Sequence, residues 1–166
     1  MKMEDGKWKI ADMLIREATE SDVTGIAEVL HDITELKSVA ACPVEQTRAR
    51  VARALAEAVP SPSSTVLVAV TEDGAIAGYC SVHWVPFLFF DGPEAYISEL
   101  FVRQRDRSAG VGTALLEEVR RRAERKGCSR LSLLNGRDSE AYQRGFYVGR
   151  QWQERERMAN FILPLR

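Results

Sequence analysis

The chain has 166 residues, of which 45% are apolar and 28% charged. That length suits one domain, and the apolar share is enough to bury a core without help from disulfides or metals. Lys and Arg number 23 against 24 Asp and Glu, giving a net charge of −1. This excludes a strongly basic nucleic-acid binder and a disordered acidic chain.

The cysteines are Cys42, Cys80 and Cys128, odd in number and far apart. No disulfide framework is expected, and a cytoplasmic, reducing setting fits. No Cys or His pair has metal-ligand spacing, and His31 and His83 are the only histidines, so no metal is expected. The first twelve residues are polar, without the apolar core of a leader peptide. The longest apolar run, around 84–90, is interrupted by Pro86 and too short to span a bilayer, so no membrane partner is expected.

In chain order, residues 1–12 read as a flexible tail and 13–166 as a single domain. Residues 13–16 form a short strand. A helix follows over 22–35, with Val23, Ile26, Ala27, Leu30 and Ile33 at helical spacing and Thr19 or Ser21 as caps. A second helix spans 44–58 and ends before Pro60 and Pro62. The period then changes to that of strands at 65–70 and 76–85, joined by the turn Glu72-Asp73-Gly74 as a hairpin. A third sheet segment spans 95–102. A polar loop leads to a helix over 110–126, stopped by Gly127. A strand at 130–134, a helix over 139–149 and a last strand at 158–163 complete the order β-α-α-β-β-β-α-β-α-β. The basic run Arg120-Arg121-Arg122 reads as a solvated helix face supported by Glu117 and Glu118.

The most informative stretch runs from Glu99 to Thr113. A strand enters a turn containing Gly110 and Gly112, and the turn opens a helix. Free N–H groups and the positive end of the helix dipole there suit a phosphate or pyrophosphate, and Arg103, Arg105 and Arg107 add positive charge. The dinucleotide fingerprint fails, because Leu115 stands where a third small residue is needed. The P-loop fails as well, because the chain reads Gly-Val-Gly-Thr. A helix start that uses glycine only for packing is the competing reading.

The spacing Arg107-Ser108-Ala109-Gly110-Val111-Gly112 resembles the Arg/Gln-x-x-Gly-x-Gly/Ala pyrophosphate loop of the GCN5-related N-acetyltransferases. The resemblance extends to the opening 15–22, to the strands and helix around the loop, and to Phe146-Tyr147 near the end, and covers about residues 13–163. The chain departs from the family pattern at Gln151, where a glycine is usual, at Trp152, where Phe is usual, and at Ser108-Ala109, where Gly-Lys is frequent.

The resemblance implies an α/β fold: a mixed, twisted, mostly antiparallel sheet flanked by helices, with a βαβ acetyl-CoA-binding half. It implies acetyl transfer from acetyl-CoA to a primary amine, on a small molecule, a peptide or a protein. Phe101, Val102, Arg107, Ser108, Ala109, Gly110, Val111, Gly112 and Thr113 would hold the pyrophosphate and pantetheine arm, with Asn135 and Tyr142 as further cofactor contacts. Asn135-Gly136 also reads as a plain turn. Tyr147 would protonate the departing thiolate. Glu99 would take the proton of the amine, with His83 or a water as alternatives. His83, Trp84 and Phe87 would line the acceptor site, and the aromatic loop around Phe87 equally suits a homodimer interface. A non-catalytic acyl-CoA sensor and transfer of another acyl group remain open on the same residues.

Overall fold

The computed structural model describes residues 2–4, 7–10, 13–33 and 36–165. The chain divides into two compact units, Met1–Leu134 and Asn135–Arg166.

The first unit is built on one sheet whose seven strands stand in chain order. They are β1 (Lys2–Glu4), β2 (Lys7–Ile10), β3 (Met13–Glu17), β4 (Ser64–Thr71), β5 (Ile76–Val85), β6 (Glu94–Val102) and β7 (Arg130–Leu133). Neighbours are antiparallel except β6 and β7, which run parallel and are joined through helix α4 (Val111–Arg125). This is the mixed, mostly antiparallel, helix-flanked sheet with a βαβ half that the resemblance implies. Strands β1 and β2 lie where the sequence reads as a tail, and they extend the sheet from the β3 edge, Trp8 opposite Ile15.

Side chains alternate between the two faces along each strand. On β5, Tyr79, Ser81 and His83 share one face, and Cys80, Val82 and Trp84 share the other. The first face is covered in part by helices α1 (Val23–Asp32) and α3 (Val44–Ala58). Ile26, Ala27, Val29, Val51 and Leu55 are buried there with Val68, Ile76 and Tyr79. The one-turn helix Lys37–Ala40, here α2, was not evident in the sequence. Helix α4 packs on β4, β5 and β6, burying Val111, Ala114, Leu115 and Val119.

Helix α1 begins at Val23, after a single 3-10 turn at Glu20–Asp22. Asp22 fixes that entry. Its carboxylate accepts from Arg16 at 2.6 and 2.7 Å and from the Thr19 amide at 2.8 Å. Burial pushes the Asp22 carboxyl up, but the Arg16 and Thr19 interactions outweigh it and hold the group below its ordinary value.

The basic run on α4 is only partly a solvated face. Glu118 is 4% exposed and pairs with Arg121 at 2.5 Å and Arg122 at 2.6 Å, while Arg122 also reaches Glu17 on β3. The ion network therefore ties the helix to the sheet.

In the second unit the helix expected over 139–149 is broken into two short pieces. Helix α5 (Glu140–Gln143) is capped by Ser139, whose hydroxyl accepts from the Tyr142 amide at 3.2 Å. It ends as Gly145 turns left-handed, at φ 65. A 3-10 turn follows at Val148–Arg150, and Gln151 at φ 66 closes it. The strand expected at 158–163 is not formed among the described residues. A strand draws its hydrogen bonds from a neighbour, and the described residues of this unit contain no strand to supply them.

Candidate active site

Two features of β6 set up the site. The register with β5 passes from Ser81–Glu99 to Val82–Ile97, which leaves Ser98 as an extra, bulged residue on β6. Pairing with β7 covers only Glu94 to Ile97. Among the described residues, no strand lies beside the β7-side edge of β6 from Ser98 to Val102, over about 13 Å at the usual rise per residue. An open edge of this kind can pair with an extended amide-bearing ligand.

The open edge runs directly into the Gly-rich turn. A 3-10 turn at Gln104–Asp106 leads through Arg107 and Ser108 to Gly110, the N-cap of α4, at φ 88. A side chain at Gly110 would meet nothing within 4 Å, so the requirement for glycine there is conformational, not steric. Lacking a side chain, Gly110 caps no α4 amide, and the helix start presents the backbone of Val111, Gly112 and Thr113. The Val111 side chain is buried, so its contribution at the turn is main chain. Arg107 Nε approaches the Val102 carbonyl at 3.5 Å, and Ala109 completes the turn. Ser108, at a place where glycine is frequent in the family, adopts φ 64, in the left-handed region.

Glu99 and its neighbours lie on the face shared with Tyr79 and His83. Tyr79 is 2% exposed and stacks obliquely on Phe101, with ring centroids 5.9 Å apart. Glu99 keeps exposed surface, but its carboxyl end lies near the Tyr79 hydroxyl and is partly desolvated there. That desolvation raises its pKa above the ordinary carboxylate value, against the opposing effects of the Tyr79 hydrogen bond and the His83 charge. His83 Nε2 lies 3.0 Å from Ser98 Oγ. Ser98 and Tyr79 carried no signal in the sequence, since both contacts depend on the strand register and the bulge.

Of the expected acceptor-site residues, His83 and Trp84 lie on opposite faces of β5. Trp84 is 7% exposed, donates to Thr65 Oγ1 at 3.2 Å and lies under Lys126. Phe87 clusters with Phe89 and Phe90, at centroid distances of 5.4 and 5.3 Å. Arg130 caps Phe90 at 4.3 Å and pairs with the buried Glu94, which also accepts from Ser132 at 2.6 Å.

In the second unit, Asn135 Oδ1 accepts from Ser139 at 3.1 Å, while its Nδ2 is buried with no hydrogen-bond partner. Such a donor has a use for a ligand carbonyl. The Tyr142 hydroxyl donates to Glu154 at 2.9 Å, and Arg137 holds the same carboxylate at 2.6 Å. The Tyr147 ring meets Phe146 at 5.0 Å and Trp152 at 5.9 Å, both edge-on.

Among the described residues no three His, Cys, Asp or Glu side chains converge as metal ligands, and no helix is long and apolar enough to cross a membrane.

The model of the acetyltransferase (GNAT) family matches residues 28–149. Thialysine N-epsilon-acetyltransferase of Mus musculus is 24% identical over 134 residues, covering 75% of each chain. Among solved structures, a transcriptional regulator from Bacillus halodurans superposes with a TM-score of 0.79 at 23% identity, covering 91% of this chain and 99% of its own. An acetyltransferase from Trypanosoma brucei does so with a TM-score of 0.68 at 26% identity, covering 92% and 100%. With the matched segment spanning β5, β6, the Gly-rich turn, α4 and β7, the chain belongs to the acetyltransferase (GNAT) family, whose general chemistry is acetyl transfer.

Proposed function

We propose that the protein transfers acetyl from acetyl-CoA directly to a primary amine. The observation that carries this reading is the continuity of the open β6 edge with the uncapped start of α4. The amides of the pantetheine arm pair with the edge at Phe101 and Val102. The pyrophosphate rests on the backbone of Ser108, Gly110, Val111, Gly112 and Thr113, with Arg107 adding charge. A contact of Asn135 with the arm rests on the resemblance.

In this mechanism the neutral amine attacks the thioester carbonyl. Glu99 takes the amine proton, and its raised pKa brings it closer to the working range of a base at neutral pH. The phenol of Tyr147 returns a proton to the departing thiolate. Its part rests on the resemblance and on the match between a phenol and a thiolate leaving group. The acceptor is a primary amine on a small molecule or a peptide, in keeping with the side-chain amine named for the mouse relative.

Thiol release from acetyl-CoA across a panel of primary amines tests the reading. Turnover with at least one amine is expected, and Tyr147→Phe should lower kcat by about one to three orders of magnitude with little change in KM for acetyl-CoA. An unchanged kcat removes Tyr147 from the mechanism.

A further inference from the structure

We infer that Ser98 and His83 form a nucleophile–base pair that gives the protein a second activity, hydrolysis of acetyl-CoA in the absence of an amine. The inference rests on the acetyl-CoA reading above, because an arm that runs from the Gly-rich turn back along Val102 and Phe101 carries its thioester toward the start of the open edge. The edge begins at Ser98, where β6 parts from β7.

Four observations meet at this residue. Ser98 is the bulged residue of β6, free of the cross-strand register that holds Ile97 and Glu99. Bulges re-aim side chains beside active sites. Ser98 is exposed, as a nucleophile requires. Its Oγ lies 3.0 Å from His83 Nε2, within the range of an activated hydroxyl, with the Ser81 carbonyl farther off at 3.4 Å. Glu99, the next residue, is close enough to His83 for their charges to interact, and such an acid stabilises the imidazolium formed when the histidine takes a proton. The pairing carries no local sequence signal, because the two residues stand 15 apart in the chain.

The chemistry balances. With the His83 ring proton on Nδ1, Nε2 accepts the proton of Ser98 as Oγ bonds to the thioester carbon. The carbon–sulfur bond breaks, His83 returns its proton to the thiolate, and free coenzyme A leaves an acetyl ester on Ser98. Water then attacks that ester as His83 takes its proton. The ester bond breaks, Ser98 recovers a proton from His83, and acetate is released. The sum is acetyl-CoA plus water giving coenzyme A and acetic acid, which ionises to acetate and a proton. When an amine is present, direct attack on the thioester competes with attack by Ser98.

The test incubates the full chain with acetyl-CoA and no amine. Acetate and thiol release are followed, together with the intact mass of the protein and peptide mapping. Ser98→Ala and His83→Gln are run beside it, and thermal unfolding with acetyl-CoA checks that each variant folds and binds. The expected result is a mass increment of one acetyl group on the peptide containing Ser98, absent from both variants. Amine-free thiol release should fall by about a hundredfold in each. Binding of acetyl-CoA with no adduct, and with thiol release unchanged in Ser98→Ala, overturns the inference and leaves the transferase reading standing. No binding of acetyl-CoA by the wild-type chain overturns both.

Discussion

Glu99 sits where three influences on a carboxyl group compete. Loss of water raises its pKa, and the Tyr79 hydroxyl and the His83 charge pull it back without cancelling the rise. The base form therefore accumulates at higher pH than for an ordinary glutamate. The transfer rate should fall on the acid side along a limb whose midpoint lies above the usual carboxylate range. In Glu99→Gln the limb should disappear and kcat should drop by about a hundredfold. A pH profile of kcat for both proteins checks this, and an unchanged limb in the variant would assign it to another group. The same shift bears on stability. The raised pKa means the folded state binds the Glu99 proton more tightly than the unfolded chain, so this residue's contribution declines as pH rises from the ordinary glutamate value through the raised one.

At the scale of elements, the two positions where the chain lacks a family glycine share one backbone state. Ser108 has φ 64 and Gln151 has φ 66, and they are the positive-φ non-glycine residues of the described chain. The fold keeps the left-handed turn and the sequence bears its cost, about 1–2 kcal/mol for a residue with a Cβ. Glycine there would lose some of that gain to unfolded-state entropy. Ser108→Gly and Gln151→Gly should each stabilise by up to about 1 kcal/mol in denaturant melts, and a loss of stability in both would contradict the assignment. Legibility in the sequence follows the same local logic. The helix at Val44–Ala58 and the strand at Ile76–Val85 carry their pattern within the segment and match their expected bounds. The Gly-rich turn was readable because Gly110 acts through its own φ. The helix expected over 139–149 failed at Gly145, and the strand expected at 158–163 depends on a partner that no local pattern supplies. The contact between Ser98 and His83 was invisible because it depends on a one-residue bulge between distant segments.

For the molecule as a whole, the central claim is that the sheet opens at Ser98 in order to hold acetyl-CoA along β6 and on the start of α4. A ligand that binds only the folded chain stabilises it in proportion to the logarithm of its concentration over Kd. The decisive measurement is thermal unfolding of the full chain with and without acetyl-CoA, with free coenzyme A as a parallel ligand. At about a hundredfold excess over Kd the account predicts roughly 2.7 kcal/mol of stabilisation, or about 5–10 °C in Tm, from either ligand. A melting curve unmoved by both would contradict it, and would mean that the Gly110 turn serves only to start a helix.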